Sequence, residues 1–181
     1  SDTVYFGVGS PYPWNHKLRS EGKGDNLFID SIVAVDGKTG EYKWHYQTVP
    51  GDTWDFDATM DIELADLEID GKLRKVLMQA PKNGFFYVID RTDGKLISAD
   101  GYVKQTWTTG VDMATGRPMI NPEAFYNKTG KPWVSLPGLL GGHNWHPMAF
   151  SPKSGLVYIP TFESVYQYIP DPAYRWKPGF M

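Results

Sequence analysis

Apolar and polar residues alternate in short runs along this chain, and nearly every run stops at a turn rich in Gly or Asp. Ser31-Ile32-Val33-Ala34-Val35-Asp36 is a β-rich run closed by Gly37-Lys38-Thr39-Gly40. Glu41-Tyr42-Lys43-Trp44-His45-Tyr46 then alternates polar with large aromatic residues, the period of a half-buried strand. The unit is strand, Asp-x-x-Thr-Gly turn, strand ending in Trp. Weaker copies follow at Phe85 to Ile97, around Val111 to Pro118, and at Phe150 to Pro160. Asp61 to Ile69 carries an apolar residue at every second or third position and is predicted as a strand, with Asp70-Gly71 turning it into Leu73 to Ala80. Val4 to Val8 is strand-like as well, whereas the segment from Gly101 to Gly142 reads as a long decorated loop.

Each such strand pair has a hydrophobic surface that it cannot bury alone, so the copies must stack. Small antiparallel sheets stacked radially form a β-propeller, with blades of roughly 40–50 residues. The 181 residues then amount to about four blades of one domain, residues 1–181, with no internal boundary.

Composition agrees with an all-β chain: aromatic residues make up 15%, with 19 Gly and 14 Pro, a mixture suited to short strands and tight turns. The net charge of −3 presents no basic face for nucleic acid or an anionic membrane. The basic clusters, Lys72 to Lys75 and Arg175 to Lys177, read as solvated surface. The absence of cysteine excludes a disulfide framework and thiolate metal sites within these residues, and no apolar run approaches the ~20 residues that span a bilayer. Ser1-Asp2-Thr3 leads straight into a strand without an initiator Met, so the chain is expected to be part of something longer.

Candidate chemistry concentrates in Gly51-Asp52-Thr53-Trp54-Asp55-Phe56-Asp57-Ala58-Thr59, where Asp55 and Asp57 flank one aromatic. Two carboxylates at this spacing can converge on one hard cation or divide into a ligand and a base; a solvated acidic turn is the plain alternative. Lys82 lies in Pro81-Lys82-Asn83-Gly84, which by itself suits a surface turn. His143 and His146 have an H-x-x-H spacing, but Pro147 and the flanking glycines argue against a zinc-binding helix, and loop histidines capping backbone groups fit better. Asn127-Lys128-Thr129 has the form of a glycosylation sequon, a pattern frequent by chance.

Taken together the chain resembles the pyrroloquinoline quinone (PQQ)-dependent methanol and ethanol dehydrogenases, the quinoprotein alcohol dehydrogenase family. Ala34 to Trp44 looks like that family's tryptophan-docking repeat. Gly24 to Phe28, Trp44 to Gln47, Pro50 to Asp55, Ala80 to Phe85 and Gly142 to Pro147 match it in order. The resemblance implies a central piece, about half, of an eight-bladed β-propeller that holds PQQ and a metal ion on its axis. It also implies that Asp55 is the catalytic base and a metal ligand, and that Lys82, Asn144 and the adjoining Trp145 contact the cofactor. Asp57 matches a position where an extra Asp marks lanthanide-using members, calcium-dependent ones having a small or uncharged residue there. One position departs from the pattern. The family's Gly-Asn-x-x-Pro-Trp-Asn places a metal-binding Asn where this chain has Ser10, within Gly9-Ser10-Pro11-Tyr12-Pro13-Trp14-Asn15. A Ser hydroxyl is a weaker donor and must sit closer to the metal, so a ligand set including Ser10 would lean on Asp57.

The implied function is periplasmic oxidation of a primary alcohol to an aldehyde, with electrons passed to a cytochrome c or to haem c in a further domain. The family's glutamate metal ligand, adjacent-cysteine disulfide and stacking Trp are not in this sequence and are expected mostly upstream of Ser1, so the chain alone is not expected to be active. Two rival readings are a non-enzymatic propeller scaffold, which would lack the Trp-Asp-x-Asp and Lys-Asn-Gly constellation, and a propeller glycosidase using Asp55 and Asp57 as an acid/base pair.

Overall fold

The computed structural model describes residues 2–175 and 177. Thirteen strands dominate it: β1 (Thr3–Gly7), β2 (Ser31–Asp36), β3 (Tyr42–Gln47), β4 (Glu63–Ile69), β5 (Lys72–Gln79), β6 (Phe85–Asp90), β7 (Leu96–Gly101), β8 (Thr108–Asp112), β9 (Arg117–Ile120), β10 (Trp133–Ser135), β11 (Ala149–Ser151), β12 (Leu156–Tyr158) and β13 (Tyr166–Tyr168). They pair antiparallel as a three-stranded sheet β1-β2-β3, a four-stranded sheet β4-β5-β6-β7, and the pairs β8-β9, β10-β13 and β11-β12. The expected strands at Ser31 to Asp36, Asp61 to Ile69 and Phe85 to Asp90 are present. The sheets are unequal in completeness. One sheet is complete at four strands and one has three, while several of the later strands are only three residues long. The segment from Gly101 to Gly142 is more ordered than a loop, for it carries β8-β9, a 3-10 turn at Pro122–Ala124, the helix α2 (Tyr126–Thr129) and β10. An earlier one-turn helix, α1 (His16–Ser20), forms where the Asn15 side chain accepts the amides of Lys17 and Leu18. Of the basic cluster at Arg175 to Lys177, Trp176 lies outside the described residues.

The repeated turns share one construction. Asp36 Oδ1 accepts the amides of Lys38 (2.9 Å) and Thr39 (3.2 Å), and the Gly40 amide closes back on the Asp36 carbonyl (2.9 Å). Asp90 with Gly94, and Asp112 with Gly116, repeat the arrangement. A short side-chain acceptor followed by a residue tolerant of positive φ is what such a turn requires, so the spacing is locally encoded.

The sheets are joined by aromatic docking. Trp44, on β3, donates its indole N–H to the Arg91 carbonyl (3.2 Å) and lies across Gly94, whose φ is +76°. A Cβ at Gly94 would sit 2.7 Å from the indole ring. Tyr46 donates to the Gly116 carbonyl (2.7 Å), and Tyr5 to that of Arg91 (3.0 Å). The first sheet thus places its large side chains on the turns of the next two repeats. The core continues through Ile32, Ala34, Leu77, Phe85, Tyr87 and Ile89 into an aromatic cluster around Trp54, Phe56 and Trp107. No helix among the described residues is long and apolar enough to cross a membrane.

Gly94→Ala should lower the unfolding free energy by about 3 kcal/mol, combining left-handed strain with overpacking against Trp44. Gly40→Ala, with open space at its Cβ position, should cost about 1 kcal/mol. Denaturant unfolding of the two variants checks the difference, and equal costs would remove Trp44 docking as its cause.

Candidate active site

The chain leaves β3 through Thr48, Val49 and Pro50 and enters the Gly51 to Thr59 segment at the ends of the sheets. Trp54, Phe56 and Ala58 are fully buried there, while Asp55 and Asp57 between them are only partly so. Trp54 and Phe56 stack at 5.9 Å, and both pack on Trp107, at 5.5 and 5.3 Å between ring centroids. This apolar floor turns Asp55 and Asp57 to the other side, where both meet Lys82. The Lys82 ammonium lies 3.0 Å from Asp55 Oδ2 and also pairs with Asp57 Oδ2, and it donates to the Asp55 carbonyl at 3.1 Å. The Lys82 side chain is only 8% exposed. The surface-turn reading of Lys82 does not hold, because the Gly141-Gly142 backbone packs over it and the Gly142 amide donates to its carbonyl (3.0 Å).

Asp52 organises the segment from beneath. It is completely buried and accepts the Trp54 amide on Oδ1 (3.0 Å). Its Oδ2 accepts the Asp55 amide (3.0 Å), the Phe56 amide (3.3 Å) and the Ser10 hydroxyl (2.7 Å). Ser10 also donates its amide to Asp57 Oδ1 (2.6 Å). Its hydroxyl proton is therefore committed to Asp52, which leaves the oxygen lone pairs as its means of contacting a metal. Gly9 brings this strand end close: a Cβ there would stand 2.8 Å from Asp57 Oδ1. Arg19 closes the far side, donating to the carbonyls of Pro13, Trp14 and Asp52 and to Asn26 Oδ1.

Burial and charge set the protonation states in opposition. Burial pushes the Asp55 carboxyl up to about 6, with Lys82 pulling it down and Asp57 adding to the rise. Burial pulls Lys82 down, but its ion pairs with Asp57 and Asp55 outweigh that, and the net shift is upward. Lys82 thus stays an ammonium ion while Asp55 is poised near neutrality, the condition for a general base working close to physiological pH.

The remaining expected residues lie on the Gly141 to His146 loop. His143 is fully buried, its ring nitrogens 2.6 Å from the Ala80 carbonyl and 2.5 Å from that of His146, so it anchors the loop. Asn144 donates to the Leu140 carbonyl (2.9 Å), and Trp145 is 75% exposed with its ring stacked on His146. The structure brings Ser10, Asp55, Asp57 and Lys82 together and sets the loop of Asn144 and Trp145 against the Lys82 backbone. Asn127 is buried, so the sequon is not an accessible surface site. Sequence reasoning missed Asp52, Arg19, Tyr126 and Tyr168. Only Asp52 left a signal, an Asp followed by residues whose amides it can cap.

The family model for the β-propeller domain of glucose/ethanol/alcohol dehydrogenases, labelled PQQ, matches residues 1–99. This chain belongs to the PQQ-dependent alcohol dehydrogenase family. Among PQQ-dependent alcohol dehydrogenases, quinohemoprotein alcohol dehydrogenase ADH-IIG of Pseudomonas putida is 57% identical over 171 residues, which is 93% of this chain and 24% of that protein. The solved structure of ADHIIG from Pseudomonas putida HK5 superposes with a TM-score of 0.96 at 54% identity, covering 99% of this chain and 26% of that one. A europium-containing methanol dehydrogenase superposes with a TM-score of 0.82 at 36% identity, over 88% of this chain and 27% of that one. The chain spans about a quarter of the length of the relatives it matches.

Because the Asp55 carboxyl titrates near 6 when folded and near 3.8 when unfolded, the folded form holds the extra proton between those values. Stability from this group is full below about 4 and is lost as pH rises through about 6. Denaturant unfolding with chelator present should therefore show Asp55→Asn gaining on the unsubstituted protein from pH 4 to pH 7.5. A gap that stays flat would mean the Asp55 carboxyl is not desolvated.

Proposed function

We propose that this chain supplies the base and part of the metal and quinone site of a PQQ-dependent dehydrogenase that oxidises a primary alcohol to an aldehyde. The single observation that carries the reading is the Asp55–Lys82–Asp57 cluster, two half-buried carboxylates on one buried ammonium. The residues fit the groups the family implies. Asp55, Asp57 and Ser10 offer only hard oxygen donors, the preference of calcium and lanthanide ions, and Gly9 leaves room beside Asp57 that a Cβ would fill. Lys82, with Asn144 and Trp145 on the neighbouring loop, would face the quinone.

When bound, PQQ supplies a two-electron acceptor and the metal ion a Lewis acid that draws electrons toward it. Asp55 does the proton work: as hydride leaves the α-carbon, the hydroxyl proton passes to its carboxylate. Lys82 holds that carboxylate in place and brings fixed positive charge to a site where negative charge grows. Asp57 adds an anionic oxygen, which favours a trivalent over a divalent cation, and the likeness to the europium-containing methanol dehydrogenase supports a lanthanide. The same proposal includes a periplasmic location, delivery of electrons to cytochrome c and a haem c domain, the last supported by the quinohemoprotein relatives.

The test uses the full-length protein, stripped of metal and supplied with PQQ, in dye-coupled oxidation of ethanol with calcium or lanthanum added separately. Asp55→Asn should lower kcat by about 10²–10⁴-fold. Asp57→Ala should depress lanthanum-supported turnover more than calcium-supported turnover. Activity with calcium alone would remove Asp57 from the metal shell, and silence with both metals over several alcohols would count against the dehydrogenase.

A further inference from the structure

The conformation of Asp55 is fixed by the two peptide planes that meet at its Cα, and the structure holds each plane at both edges. In the plane before it, the Trp54 carbonyl accepts the Tyr168 hydroxyl (2.6 Å) and the Asp55 amide donates to Asp52 Oδ2 (3.0 Å). In the plane after it, the Asp55 carbonyl accepts Lys82 Nζ (3.1 Å) and the Phe56 amide donates to Asp52 Oδ2 (3.3 Å). One plane earlier, the Tyr126 hydroxyl holds the Thr53 carbonyl (2.9 Å) and Asp52 Oδ1 holds the Trp54 amide (3.0 Å). Between these restraints Asp55 sits at φ +67°, a left-handed conformation that costs a non-glycine residue more than the right-handed one and that these bonds hold in place.

We propose that Tyr168 and Asp52 are positioning residues for Asp55, holding it left-handed so that its carboxylate stays on Lys82. The inference rests on reading Asp55 as the base. Tyr168 comes from β13, is 3% exposed, and stacks on Tyr126 at 5.2 Å and 17°. Its ring therefore packs without the hydroxyl, which makes the hydroxyl's bond to the Trp54 carbonyl separable from the ring's burial. Asp52 presents acceptors alone to three amides and also takes the Ser10 hydroxyl, so it ties the Ser10 turn to the same frame. An amide in its place would turn a donor toward donors.

The experiment compares Tyr168→Phe, Asp52→Asn and Asp55→Asn in the full-length holoenzyme, with ethanol and 1,1-dideuterated ethanol as substrates. Tyr168→Phe should lower kcat by about tenfold to a hundredfold, leave KM within about twofold, and keep Tm within a few degrees. Its deuterium isotope effect on kcat should rise, because a displaced base slows the chemical step. Asp52→Asn should show a larger fall in the same direction. If Asp55→Asn is inactive while Tyr168→Phe turns over like the unsubstituted enzyme, the positioning role is overturned and the base stands. If Asp55→Asn stays active, the base reading fails, and hydrogen exchange then decides the clamp by itself. Tyr168→Phe should speed exchange of the Asp55 and Phe56 amides by about tenfold or more while β5 and β6 keep their protection. Unchanged exchange at those two amides would overturn the clamp.

Discussion

A small antiparallel sheet has two apolar faces and no means of covering both, and in this chain the aromatic residues Trp44 and Tyr46 of β3 resolve that problem. Trp44 lies flat on Gly94 and bonds the Arg91 carbonyl, and Tyr46 reaches the turn at Gly116. Each contact needs a bulky ring on one repeat and a bare backbone on the next. The turns that receive these rings are therefore built alike, with Asp at the start and Gly at the close. The acidic segment after Gly51 follows directly from the strand that carries the rings, and so takes its place from that docking.

The acidic segment answers two opposed demands. Burying Trp54, Phe56 and Ala58 fixes it to the core and removes water from one side, which strengthens every charge interaction on the other. The same burial penalises Asp55 as an anion, and Lys82 offsets only part of the penalty, leaving the carboxyl pushed up to about 6. A surface Asp would be ionised and idle at neutral pH. An Asp buried without Lys82 would hold its proton too firmly to act as a base. Asp52 takes the opposite course: its oxygens bind amides and a hydroxyl rather than a cation, and it serves as structure. Asp52 and Asp55, three residues apart, thus stand in different surroundings, one among amides and the other on an ammonium ion.

Local chemistry made much of the fold legible. The turns at Asp36, Asp90 and Asp112 follow from side-chain caps and glycine, which act over four or five residues, and the period-two runs beside them had to be strands. The short helix at His16–Ser20 was not legible, since a single turn shows no period and depends on the Asn15 cap. The uneven completeness of the sheets was not legible, because the chain beyond Gly101 spends its length on turns, short helices and three-residue strands rather than on further four-stranded sheets.

By itself the sequence determined the hairpins, the docking repeat, and Asp55, Asp57 and Lys82 as the residues to watch, because each is written in a few consecutive positions. The tertiary structure decided which of the acids is buried, which is paired, and that Tyr126 and Tyr168 reach back 73 and 114 residues to hold the carbonyls before Asp55. Those facts depend on desolvation and on contacts between segments far apart in the chain. Neither leaves a periodic trace in the sequence, for a buried aspartate and a solvated one are spelled alike.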